Sequence, residues 1–239
     1  MDGSTNNQGL EFRGTANKLR KPAPVRPSSN ASLDDITFKW AGIDPWEHYQ
    51  QLATLEPGHY LAVLKKYPYD TVFVRQSKFQ DSNLVDFKHV IHRNIVYMGR
   101  LYIEDVYITM VYETTVASMK DILSFRPHWG LAETAAVCFG VLTALKYIHS
   151  SLGICHGDLK VENIRFDLSG TVKLANIGNS LLRGSKQYSD DLRSLALLVR
   201  RLSEPGASGD TSLLEFLRAL EEGQPTAALL ELPAEYSRP

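Results

Sequence analysis

The fold of this chain turns on His156-Gly157-Asp158-Leu159-Lys160-Val161-Glu162-Asn163-Ile164, followed by Val172-Lys173-Leu174-Ala175-Asn176-Ile177-Gly178. An aspartate can orient a hydroxyl and accept its proton, and a lysine two residues on can neutralise a phosphoryl group in transfer. An asparagine five residues after the aspartate can ligate Mg²⁺ through its amide oxygen. Alone, Asp-x-Lys-x-x-Asn describes many ordinary polar loops, so the flanks decide its meaning. Upstream, Leu131, Ala135, Cys138, Leu142, Leu145 and His149 mark one face of a long helix ended by Ser150-Ser151-Leu152-Gly153. Downstream, Ile164–Phe166 and Val172–Leu174 read as short strands joined by a turn at Asp167–Gly170.

Further out, Leu192, Leu195, Val199 and Leu202 stripe one helix, and Leu213, Phe216, Leu217 and Leu220 another. Before the long helix the pattern is β-rich. Tyr60–Leu64 and Thr71–Arg75 read as a hairpin across Pro68 and Asp70, and Tyr102-Ile103 and Tyr107–Val111 as further strands. Leu84, Phe87 and Ile91, behind Asp81 and Ser82, predict a short helix. A strand-rich half followed by a helix-rich half means an α+β fold with two unequal lobes.

Composition adds exclusions. The 239 residues carry 26 basic and 27 acidic side chains, so no bulk field points to nucleic acid. No uninterrupted apolar run approaches the roughly 20 residues that span a bilayer, and Met1–Asn7 has no apolar core of a secretion signal. Cys138 and Cys155 build neither a disulfide framework nor a zinc site. A cytoplasmic or nuclear location is expected. Residues 1–37, with Pro22, Pro24, Pro27 and a mild basic excess, read as a disordered tail. Trp40, Trp46 and Trp129 read as packing anchors.

The two quoted stretches resemble the catalytic loop and metal-binding loop of eukaryotic protein kinases, His-Arg-Asp-Leu-x-x-x-x-Asn and Asp-Phe-Gly. Other segments extend the resemblance over roughly residues 44–235. Asp44-Pro45, Tyr49 and Leu55–Val63 are similar to the approach to the Gly-rich loop of PAK-type serine/threonine kinases. His92-Arg93-Asn94-Ile95-Val96 resembles the loop after the regulatory helix, and Ser189–Leu195 the start of the helix whose aspartate, here Asp191, braces the catalytic loop. The resemblance implies an N-lobe over 38–111, a hinge over 112–117 and a C-lobe over 118–239. It implies catalytic roles for Asp158 and Lys160, metal ligation by Asn163 and Asn176, and structural roles for His156, Gly178 and Asp191. A nucleotide would lie among Gly58, Val63, Phe73, Arg75, Met110, Val111, Glu113 and Arg165.

The departures are concentrated where the family handles ATP. The three glycines of the phosphate loop correspond to Glu56, Gly58 and Leu61, with Val63 kept. Arg75 stands for the ion-pairing lysine and Phe73 for the small alanine of the adenine roof. The partner glutamate aligns with Asn83, leaving Asp86 as a structural substitute. Arg165 occupies the apolar adenine floor, Asn176 replaces the metal-binding aspartate, and Gly157 replaces the loop arginine. Twelve residues, Asn179 to Asp190, separate Gly178 from Asp191, so the activation segment is read as reduced; αG is read so from the short segment after Asp191, and the regulatory helix from the short stretch before His92. The expectation is a pseudokinase acting as a binding, scaffolding or regulatory module. Its partners would be proteins, such as an active kinase or a small-GTPase pathway component, and it would need no cofactor. The alternative is a weakly active serine/threonine kinase using ATP and Mg²⁺.

Overall fold

The computed structural model describes residues 38–78, 87–104, 106–125, 130–203 and 211–231. The expected tail, the start of the predicted helix (with Asn83 and Asp86) and Trp129 lie outside them. The first lobe is one six-stranded sheet built from β1 (Lys39–Ala41), β2 (Tyr49–Glu56), β3 (His59–Leu64), β4 (Thr71–Lys78), β5 (Met98–Ile103) and β6 (Tyr107–Glu113), in the order β1-β5-β6-β4-β3-β2. Every pairing is antiparallel except β1 with β5. The sequence reading missed β1, a three-residue strand too short for a periodic signal. β6 runs to Glu113, two residues into the expected hinge.

The β2–β3 hairpin closes over Pro57-Gly58, and here glycine is obligatory. Gly58 has φ +78°, and a Cβ would lie 2.7 Å from the Gln76 carbonyl oxygen. Gln76 N–H donates to the Gly58 carbonyl at 2.7 Å, which draws the turn onto β4. On one sheet face, Tyr49, Ala62, Val74, Tyr102 and Val111 form a separate small core, covered by Trp40, Ile43 and Trp46. The other face joins the main core.

The second lobe begins with β7 (Ala117–Ser118), α1 (Met119–Phe125) and α2 (Leu131–Tyr147), which continues as a wide turn over Ile148–Leu152. β8 (Ile164–Phe166) and β9 (Val172–Leu174) complete a three-stranded sheet with β7. Then come α3 (Ile177–Arg183), α4 (Tyr188–Leu202), α5 (Thr211–Glu221) and α6 (Thr226–Leu229). Gly140 lets α2 approach β9, since a Cβ there would meet Val172 Cβ at 2.7 Å. Asp190 and Asp191 in the first turn of α4, and Arg200 and Arg201 in its last, complement the helix dipole. By length and composition Leu131–Leu152 could cross a bilayer, with a mean hydropathy of 1.5. Over half of that stretch is buried inside the protein, as in the core helix of a globular domain.

One expected element is corrected. Residues 87–92 are not helical. Phe87 and Val90 are both pinned in the core, which an irregular segment achieves here, while Ile91 is 67% exposed. His92 stacks on Tyr147 at 4.9 Å and fixes the end of this segment against α2.

Candidate functional site

The loop between α2 and β8 is held from below by one carboxylate. Asp191, 1% exposed, accepts from the backbone N–H groups of His156 and Gly157, both at 2.7 Å, and from His149 Nε2 at 2.8 Å. Burial alone would raise its pKa, but these donors overcome it and hold the carboxyl below its ordinary range. Gly157 sits at φ +70°, so the missing loop arginine is replaced by a left-handed turn, over whose carbonyl Arg183 Nη1 donates at 2.8 Å. His156 Nε2–H donates to the Ala175 carbonyl at 2.7 Å, tying this loop to the end of β9.

Above this brace sits Asp158. Its carboxylate lies 3.1 Å from Lys160 Nζ and accepts from Asn163 Nδ2 at 2.9 Å and Asn176 Nδ2 at 3.1 Å. Burial pushes this carboxyl up, yet Lys160 and the two amides outweigh it and hold it below the usual value. The group is therefore ionised but already engaged. Asn176, at φ +73°, accepts at its amide oxygen from Arg75 Nη1–H. With its amide oxygen turned inward, Asn179 of α3 accepts from Arg75 Nη2 at 2.6 Å. Arg75 thus points at two asparagines, and its Nε is buried with no partner among the described residues.

The cleft between the lobes holds a cavity of about 220 Å³, below the roughly 300–1,000 Å³ usual for ligand pockets. The Arg165 guanidinium from β8 lies 5.5 Å from the Phe73 ring of β4, and its Nε–H donates to Thr115 Oγ1 at 2.8 Å. The cleft is bridged by its own side chains.

Of the residues expected around a nucleotide, Phe73, Arg75 and Arg165 line this cavity, while Gly58, Val63, Met110, Val111 and Glu113 do not. Gly58 is spent on the hairpin turn. The pleat of β6 explains two more, because Val111 and Glu113 face away from Tyr112. Met110 points into the main core, Val111 into the small core on the opposite face, and Glu113 pairs with Lys173 at 2.6 Å. Val63, on β3, stands outside the lining set. Tyr112 lines the cleft instead, its hydroxyl buried beside Met110 Sδ at 3.3 Å and pushed up in pKa by that burial. Period-two counting along β6 pairs Tyr112 with Met110 and would have found it.

Mg²⁺ prefers carboxylate and phosphate oxygens. Here the Asn176 oxygen faces a guanidinium, and the other expected ligand, Asn163, offers only a neutral amide oxygen. Among the described residues no three His, Cys, Asp or Glu side chains cluster. The donor set does not suit the ion.

The brace, the loop and the two lobes define a protein-kinase architecture, and the chain belongs to that family. The protein kinase domain model matches residues 63–194, more than half of the chain. It is 29% identical to the serine/threonine-protein kinase SULU of Caenorhabditis elegans over 69% of this chain and 18% of that protein. It is 47% identical to the serine/threonine-protein kinase Tao of Drosophila melanogaster over 21% of this chain and 5% of that one. It is also 40% identical to the NUAK family SNF1-like kinase 2 of Rattus norvegicus over 26% and 10%. The chain therefore matches less than a fifth of each relative's length.

His48, His59, His92 and His156 are all pushed below the ordinary histidine value, with burial the main cause in each. The unfolded chain then binds more protons, so stability is complete above about pH 6.5 and is lost as pH falls below it. Calorimetry should show the melting midpoint falling between pH 7 and pH 5. A flat profile over that interval contradicts this assignment.

Proposed function

We propose that this chain is a pseudokinase, a binding or scaffolding module of PAK-like descent that uses the kinase shape without phosphoryl transfer. The observation that carries this reading is the Arg165–Phe73 bridge across the cleft, tied down at Thr115. It narrows the space an adenine ring would enter. The turning of Arg75 onto Asn176 and Asn179 supports it, because the cation nearest a phosphate is committed elsewhere. Losing one electrostatic element of a catalytic site typically costs about 10² to 10³ in rate. Several losses, even non-additive ones, leave little transfer. Its partners would be proteins of a kinase or small-GTPase pathway, met in the cytoplasm or nucleus.

Thermal shift with ATP, with and without Mg²⁺, tests this directly. A nucleotide at 100 times its Kd stabilises by about 2.7 kcal/mol, equivalent to roughly 5–10 °C for a chain of this size. The expected shift is under about 1 °C in both conditions, and a Mg²⁺-dependent rise of several degrees overturns the reading.

A weakly active serine/threonine kinase is the second reading, favoured by the ionised Asp158 with Lys160 at 3.1 Å. It requires γ-phosphate transfer to a basic protein that Asp158→Asn abolishes.

A further inference from the structure

We propose that the cleft between the lobes takes a small oxyanion, a phosphate or carboxylate group without a nucleoside, held by Arg165 of the second lobe and Arg75 of the first. The proposal rests on the pseudokinase reading, because it gives the degenerate nucleotide cleft a ligand of its own. Strand register begins the argument. His59 on β3 stands opposite Arg75 on β4, so their side chains share one face of the sheet, and Phe73, two residues before Arg75, shares it too. All three line the cleft cavity, and Arg165 joins its wall from β8.

The charges there are not balanced. Neither Arg75 nor Arg165 makes an ion pair among the described residues. Asn176 and Asn179 take up the Nη groups of Arg75, but neutral amides leave its charge intact, and its Nε is buried without an acceptor. Arg165 gives its Nε–H to Thr115, and its two Nη groups have no hydrogen-bond partner among the described residues. Burial pushes the Arg165 pKa down, as for a cation taken from water with no carboxylate in contact, although Asp121 attracts it from further off. Glu162, the acid among the lining residues, is paired with Lys120 at 3.3 Å. His59 Nδ1 is also buried without a hydrogen bond, 3.9 Å from Glu56.

Buried cations are ordinarily paired, and buried donors are ordinarily bonded. The acceptor that suits two guanidiniums is an oxyanion, whose oxygens match their planar forks. Size agrees. A cavity of about 220 Å³ is small for a drug-sized ligand but ample for an ion the size of a few water molecules, at roughly 30 Å³ each. Because the two arginines come from different lobes, the ion also fixes how the lobes sit together, and so the surface a partner protein meets.

The test is thermal unfolding of the full chain with inorganic phosphate or malonate, each exchanged against chloride at constant ionic strength and without Mg²⁺. One-site binding at ten times the Kd raises the melting temperature by roughly 3–6 °C for a chain of this size. A saturable rise of that order is expected, and the larger of the two responses assigns phosphate or carboxylate. Arg75→Met and Arg165→Met should each cut the rise at least threefold, while Lys146→Met, exposed on α2, should leave it unchanged. Titration calorimetry of the wild type should give one site per chain, which decides the matter even where a variant fails to fold. Silence to both ions, a rise that does not saturate, or a rise that both arginine variants retain overturns the proposal. ATP with Mg²⁺, run alongside, tells the two failures apart. A Mg²⁺-dependent response to ATP overturns the pseudokinase reading, whereas silence to phosphate and malonate overturns the oxyanion site alone.

Discussion

Asp191→Ala is expected to destabilise the protein by about 3–5 kcal/mol, the cost of breaking a buried ionic hydrogen-bond set from one side. The carboxylate receives two backbone N–H groups and one imidazole, and the substitution leaves all three without an acceptor. For a chain of this size that is a fall in melting temperature of roughly 6–20 °C. Asp191→Asn keeps one acceptor oxygen but sets an amide against an N–H group, so its cost should fall between wild type and alanine. The sign with pH follows from the depressed carboxyl. Its contribution is full above the unfolded value near 3.9 and is lost as pH falls through the lower folded value. The wild type and Asp191→Ala stability curves should therefore converge in acid. A loss under about 1 kcal/mol at neutral pH would mean the brace is dispensable, which the buried geometry does not allow.

The same brace marks how far the sequence could be read. Asp191, His156 and Asp158 were legible because each lies at a fixed interval within a loop or helix start, and local spacing survives in sequence. The long helix and the β8–β9 pair were legible for the same reason, through periodicity and a turn. What stayed hidden depends on contacts across the fold. The seven-residue helix α3 begins at Ile177 and carries no apolar stripe that distinguishes it from a loop, yet it delivers Asn179 to Arg75. The Arg165–Phe73 bridge joins residues on β8 and β4 that nothing in the sequence pairs. Met110, Val111 and Glu113 were placed in the cleft by the family resemblance; the strand pleat turns Val111 and Glu113 away, and Met110 is taken up by the main core. The short β1 shares the outer sheet face with Ile43 and Trp46, and only its parallel pairing with β5 reveals it as a strand.

Gly178→Ala should cost about 2–3 kcal/mol, at the upper end of what overpacking a core exacts. The loop glycine is usually read as a hinge, but here its backbone has an ordinary negative φ at the start of α3, so conformational freedom is not what it provides. Space is. A Cβ would fall on Met110 Sδ, 2.5 Å from the Tyr112 hydroxyl oxygen and 3.2 Å from Met98 Sδ. Both methionines are 0% exposed and Tyr112 is 7% exposed, so none can swing toward solvent to make room. The accommodation must come from α3 moving off β6, which also draws Asn179 away from Arg75. The argument predicts a rescue: Tyr112→Phe removes the hydroxyl contact, and in the Gly178→Ala background it should recover about 1 kcal/mol or more. In the wild-type background the same change forfeits the hydroxyl's bond with the Gly178 backbone as well as the weak contact with Met110 Sδ. Urea unfolding of the four proteins gives the coupling energy directly. Additivity of the two changes would show that the crowding is relieved elsewhere, and would remove the reason for glycine at this position.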